Sequence, residues 1–191
     1  MDALRLFIAI RCPEPVVAAV AGWQAELRAQ AGQAYRWVAP TAFHLTLRFL
    51  GELDEAGARS ADAALREAVA GRSAFPVALR GGGAFPKPAA ARVIWAGVAN
   101  AGDGLADLAA AVEAACATQG LGHADKPFSP HLTVGRARAE GRAPDLGAVL
   151  RAAATREFGT WQPEAVELIH STLTPAGPIY RTRLTAPLAA R

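Results

Sequence analysis

The sequence predicts an α+β fold, in which two duplicated β-α-β-α-β halves form pseudo-symmetric lobes with antiparallel sheets around a central cleft. Two observations carry this reading. The first is a repeat: His44-Leu45-Thr46 returns 87 residues later as His131-Leu132-Thr133. At the same offset "RLFIA" (Arg5 to Ala9) falls on "RVIWA" (Arg92 to Ala96), Pro40 falls on Pro127, and Pro76 falls on Pro163. Each identity is weak alone, but a common offset marks internal duplication. The second observation is the order of apolar periods, which alternates between strand-like runs and helical stripes in both halves.

The elements follow in order. "RLFIAI" is a short apolar run that reads as a strand. Val16, Val20, Trp23 and Leu27 then fall on one stripe of a helix. "FHLTLRFLG" is the strand carrying His44, and a helix follows from about Asp54, with Leu65 and Val69 inward and Gly71 as its cap. "FPVALR" closes the half as a third strand. "RGGGAFPKPAAA", Arg80 to Ala91, is the Gly/Pro-rich connection where the halves join. The second half repeats the plan: "RVIWAGV", a helix with Leu105, Leu108 and Val112, the strand of His131, a helix from Asp145 through Leu150, and "EAVELI". The tail "STLTPAGPIYRTRLTAPL" adds strands around a Pro-Gly turn. A duplicated half cannot bury its own sheet, so two related sheets should pack around a shared groove with His44 and His131 facing one another. We therefore expect residues 1–191 to form a single bilobal domain. Its repeat halves span approximately 1–85 and 90–175, and the C-terminal strands complete the sheets.

Composition excludes several classes. A hydrophobic fraction of 52% with 19% charged residues describes a folded globular chain. No apolar run approaches the ~20 residues of a membrane span. "LRLFIAI" is too short for a signal-peptide core, so a cytoplasmic protein is expected. Two cysteines, Cys12 and Cys116, cannot build a disulfide framework or a cysteine-based zinc site, and read as buried thiols. Of 20 basic residues only Lys87 and Lys126 are lysines. Arginine's planar fork suits phosphate, although net charge +3 permits nucleic-acid binding without demanding it.

Side chains alternate along a strand, so His44, Thr46 and Arg48 should share one face while Leu45, Leu47 and Phe49 take the other. The same parity pairs His131 with Thr133. Arg136 breaks it, five residues after His131, unless a bulge at Gly135 swings it back. Histidine gains and loses its proton near neutral pH, so one imidazole can act as base while the other acts as acid. Opening a cyclic phosphate with water needs that pair. Threonine hydroxyls and an arginine can hold the non-bridging oxygens. Phe85, with Lys87 and Arg92, is a candidate basic and aromatic ledge for substrate beside the cleft, the alternative being that Phe85 belongs to the core and the charges are merely solvated. His170-Ser171-Thr172 also fits His-x-Thr, but position 83, its partner at the repeat offset, is glycine, and it reads as a decoy. His123 reads as solvent-exposed. Neither histidine strand offers the three or four ligands a metal needs, so no metal and no cofactor is expected. "GGG" at Gly81 to Gly83 reads as a hinge rather than a phosphate loop.

At "RLFIAI", "WVAPTAFHLTLRFLG", "RVIWAGV", "FSPHLTVGRAR" and "STLTPAGPIY" the chain resembles the 2H phosphoesterase superfamily, and within it the RNA 2′,3′-cyclic phosphodiesterases formerly called 2′-5′ RNA ligases. The resemblance implies metal-independent hydrolysis of an RNA-terminal 2′,3′-cyclic phosphate to a 2′-phosphate. It maps His44 and His131 onto the catalytic positions, with His44 protonating the leaving O3′ and His131 activating water. Thr46 and Thr133 map onto the same motifs, and Arg136 onto the phosphate-binding arginine. The expected partner is RNA, with no membrane, and the expected state is a monomer. Two alternatives stand beside this reading. One is reversible 2′-5′ ligation or hydrolysis of a small nucleotide cyclic phosphate; the other is a non-catalytic RNA-binding module.

Overall fold

The chain begins with β1 (Leu4–Arg11), in which Leu6, Ile8 and Ile10 are sealed on one face and Phe7 and Ala9 on the other. A strand buried on both faces needs cover on both, and the rest of the fold supplies it. This computed structural model describes residues 3–99, 103–138, 144–175 and 177–190. Helix α1 (Glu14–Ala31) buries Val16, Val20, Trp23 and Leu27, the stripe its spacing requires. After β2 (Tyr35–Trp37) and a helical turn at Pro40–Ala42 comes β3 (His44–Leu53). Helix α2 (Glu55–Val69) is capped by Asp54, whose carboxylate accepts the Gly57 N–H at 2.8 Å, and stops short of Gly71. Leu65 and Val69 are buried on its inner face. There follow β4 (Val77–Phe85), β5 (Val93–Ala99), α3 (Gly104–Thr118), β6 (His131–Ala137) and α4 (Gly147–Ala152). The chain closes with β7 (Glu157–Trp161), β8 (Ala165–Thr174) and β9 (Gly177–Pro187).

Two antiparallel sheets result, ordered β3-β1-β8-β9 and β2-β6-β5-β4-β7. The halves exchange parts. β4, which closes the first half, lies beside β5 of the second, and β8, its counterpart in the second half, lies beside β1. The helices cross as well: α2 and α3 pack together over the first sheet, while α1 reaches β7 and α4 reaches β4 in the second. Trp23 of α1 stacks 5.2 Å from Phe158 of β7, ring centre to ring centre. One apolar core is continuous through both layers.

The Gly/Pro-rich connection is shorter than expected, because Arg80–Phe85 belongs to β4 and only 86–92 links the halves. Gly81 to Gly83 are therefore strand residues, not a hinge. A methyl group on Gly82 would overlap the Trp23 indole, and one on Gly83 would overlap the Trp95 indole, so glycine is what lets a tryptophan press on each face. The strand register also corrects the repeat. Arg11 faces His44 and Gly97 faces His131, so the first strands of the two halves match at an offset of 86 while the histidine strands match at 87. One residue of slip reverses a strand's faces, and Trp95 consequently lies on the side of Thr133 rather than in the core with Ile8. The short strands β2 and β7 join the second sheet at its edges. α4 begins two residues after Asp145, whose carboxylate accepts the Gly147 N–H at 2.7 Å.

Candidate active site

β3 and β6 approach one another from the two sheets, and each opens on its histidine. His44 and Thr46 are partly accessible while Leu45 and Leu47 are buried; His131 and Thr133 repeat this around buried Leu132 and Val134. Both strands then bulge at the same place. Thr46 pairs with Ala9 and Arg48 with Ile8, leaving Leu47 unmatched; Thr133 pairs with Trp95 and Gly135 with Ile94, leaving Val134 unmatched. The unmatched residues are themselves repeat partners. An extra residue reverses the alternation beyond it, so the fifth residue after each histidine, Phe49 and Arg136, returns to the groove side. Gly135 permits this in β6, since a side chain there would crowd the Trp37 ring at 2.9 Å.

The bulge in β3 overturns the expected parity of Arg48 and Phe49. Arg48 is 5% exposed, ion-paired with Glu113 of α3 and donating to the Gly122 carbonyl at 3.2 Å. Phe49 is 48% exposed, with the Arg5 guanidinium 4.5 Å from its ring centre.

The two imidazoles are held alike. Nδ1 of His44 lies 2.7 Å from the Ala42 carbonyl, and Nδ1 of His131 lies 2.8 Å from the Ser129 carbonyl. A carbonyl can only accept, so each Nδ1 carries a proton and each Nε2 is left for exchange. Phe7 flanks His44 at 4.9 Å and Tyr180 meets it edge-on at 5.4 Å. Phe85 meets His131 edge-on at 5.2 Å and leans on Trp95 at 5.3 Å. Burial pushes both imidazole pKa values down, and the carbonyl bonds oppose it. The Arg136 charge lowers both further, and Arg11 and His131 add to the effect on His44.

Phe85 thus stands in the cleft as part of the wall behind His131. His170, by contrast, pairs with Leu6 and is one residue out of phase with Ile169, which packs against Phe7 in the groove. His123 is exposed, its Nδ1 3.3 Å from Glu113 Oε1. Cys116 is buried and Cys12 half-buried; burial pushes their thiols up to about 11 and about 12. Among the described residues, no three His, Cys, Asp or Glu side chains gather as a metal site, and no helix is long and apolar enough to cross a membrane.

Sequence reasoning missed Tyr180 and Arg11. Tyr180 arrives on β9, whose neighbour β8 pairs with the first strand of the chain, a contact no local pattern announces. Arg11 sits opposite His44 in the ladder and its Nε donates to Glu167 at 3.0 Å. Beside it a cavity of about 550 Å³ opens between the turn at Ala39–Ala42 and the Pro178–Tyr180 stretch of β9.

Paired imidazoles with hydroxyls and a guanidinium, set between the sheets of a duplicated α+β fold, define a phosphoesterase-type cleft. The chain belongs to the LigT-like phosphoesterases, the family described as "LigT like Phosphoesterase", whose profile matches residues 10–95 and 97–180. It is 32% identical over 177 residues to an RNA 2′,3′-cyclic phosphodiesterase of Methanothermobacter thermautotrophicus, covering 93% of this chain and 95% of that protein. It is 37% identical to one of Aquifex aeolicus over 146 residues, or 76% of this chain and 77% of that one. Among solved structures, TT0787 of Thermus thermophilus superposes with TM-score 0.79 at 31% identity, covering 96% and 97% of the two chains. Escherichia coli LigT complexed with 3′-AMP superposes with TM-score 0.75 at 25% identity, over 98% and 99%.

Proposed function

We propose that this protein hydrolyses the 2′,3′-cyclic phosphate at an RNA end to a 2′-phosphate, without a metal ion and as a monomer. The observation that carries the reading is the pair of His-x-Thr strands, bulged at the same residue, each holding its imidazole by Nδ1 and leaving Nε2 without a hydrogen-bond partner among the described residues. The named activity of the relatives supports the substrate. Nε2 of His131 takes a proton from water as its oxygen attacks phosphorus. The P–O3′ bond breaks on the opposite side, and His44 gives its Nε2 proton to O3′. Thr46 and Thr133 hydroxyls donate to the non-bridging oxygens, and Arg136 balances their charge.

Burial and the Arg136 charge lower both imidazole pKa values, and the anionic phosphate acts in the opposite sense, since a negative charge between the rings favours the protonated form of the acid. The test is an oligonucleotide ending in 2′,3′-cyclic phosphate, incubated in excess EDTA, with the product identified. A 2′-phosphate end is expected at an unchanged rate. Activity that vanishes in EDTA and returns with added metal would defeat the metal-free mechanism, and an untouched substrate with or without metal would defeat the function.

A further inference from the structure

We infer that the cavity beside His44 is a second anion site, in which Arg11 takes the 5′-phosphate of the reacting nucleotide. The cleft would then read a strand end rather than a lone nucleoside. This rests on the function proposed above. In an in-line displacement the attacking and leaving oxygens stand on opposite sides of phosphorus. If His44 serves O3′, the ribose that carries O3′ lies on the His44 side and away from His131. The 5′-oxygen belongs to that same ribose, so the next phosphate of the strand must leave the centre past His44.

That is where Arg11 stands. It is the cross-strand partner of His44, on the same face of the sheet, and it lines the cavity together with Thr41 and Tyr180. Among the described residues it is the one charged group in that lining. Its Nε edge is occupied by Glu167 at 3.0 Å, and Glu167 is steadied by the Thr182 hydroxyl at 2.9 Å. The guanidinium plane is therefore set in advance, and the Nη1/Nη2 edge, with no partner among the described residues, is left for a bidentate contact with phosphate. The side chain is 31% exposed, enough to be reached. Pro178 and the half-exposed Ile179 add an apolar shelf on which ribose or base can rest. The repeat makes the feature specific to one side, since the residue facing His131 in the equivalent register is Gly97.

The experiment compares adenosine 2′,3′-cyclic phosphate with the same compound bearing a 5′-phosphate, each assayed for kcat and KM. A contact to a charged group of this kind is expected to favour the 5′-phosphorylated substrate by roughly 10–150-fold in kcat/KM, mostly through KM. In Arg11→Gln that preference should collapse toward one, and Arg11→Lys, which keeps the charge but loses the fork, should fall between. Because both substrates meet the same preparation, the ratio cancels any loss of folded enzyme. A wild-type ratio near one, or a ratio unaltered in Arg11→Gln, overturns the inference while leaving the cyclic phosphodiesterase reading intact. Failure of the wild type to open either compound or a cyclic-phosphate-ended oligonucleotide removes both.

Discussion

Each imidazole of the cleft is tied by Nδ1 to a carbonyl two residues before it, and the proposed mechanism makes each ring a positioned proton carrier. His44→Ala and His131→Ala should each cost roughly 10²–10⁴-fold in kcat/KM, and the double variant little more, because an acid and a base that serve one step act as a unit and are not additive. A substrate whose leaving group needs no proton should rescue His44→Ala alone. Thr46→Ala and Thr133→Ala should each cost roughly 10–150-fold, the loss of a hydrogen bond to a charged group. The same burial that lowers the imidazole pKa values has a signature in stability. Both rings are neutral in folded and unfolded chains at high pH, so they contribute no pH dependence there. As pH falls through the unfolded-state value of about 6.5 the unfolded chain takes up protons first, and stability drops until the folded rings titrate at their lower pKa. Thermal unfolding from pH 7.5 to 5 should show that decline, and His44→Gln with His131→Gln should shallow it. An unchanged slope in the double variant would place the acid sensitivity elsewhere. These histidines were legible because they recur at one offset with hydroxyls at i+2. Arg11 was not, since its meaning lies in a ladder partner 33 positions away.

At the level of the element, what could be read depended on whether its cause is local. The α1 stripe and the start of α2 near Asp54 are set by neighbours a turn away and were legible, although the capping role of Asp54 itself was not read. The β6 bulge was half legible, because Gly135 permits it. The equivalent bulge in β3 carries no glycine at Arg48 and was not, so Arg48 and Phe49 exchanged faces unannounced. The glycines of β4 were misread for the same reason. Their partners, Trp23 and Trp95, come from α1 and β5, far off in sequence. β2 and β7 are short and carry no clean alternation, and only the edges of a finished sheet reveal them. The β4 reading is testable: Gly83→Val should destabilise by about 1–3 kcal/mol through overpacking on Trp95, whereas a true hinge would tolerate it. Urea unfolding would separate the two, and a shift below about 0.5 kcal/mol would refute the packing role.

At the scale of the whole molecule, the exchange of β4 and β8 means that neither half closes its own layer. Cutting the chain within 86–92, which contains the exposed Lys87 and Pro88, leaves every strand intact. The two pieces expressed together should form a stoichiometric complex with one cooperative unfolding transition. Each alone should elute as aggregate or unfold without cooperativity, because β1 would lack β8 and β5 would lack β4. A piece that folds by itself would show that the layers are independent. The crossing also bears on ancestry. A polypeptide of a single repeat could have buried its apolar faces only by trading its last strand with a second copy, giving a dimer whose cleft lay on the dyad and whose two histidines were identical by symmetry. Such a site has no way to tell acid from base, or one end of a substrate from the other. Fusion of two such copies into one gene would release each flank to drift separately, and arginine facing one histidine with glycine facing the other is an asymmetry that only the fused chain can hold.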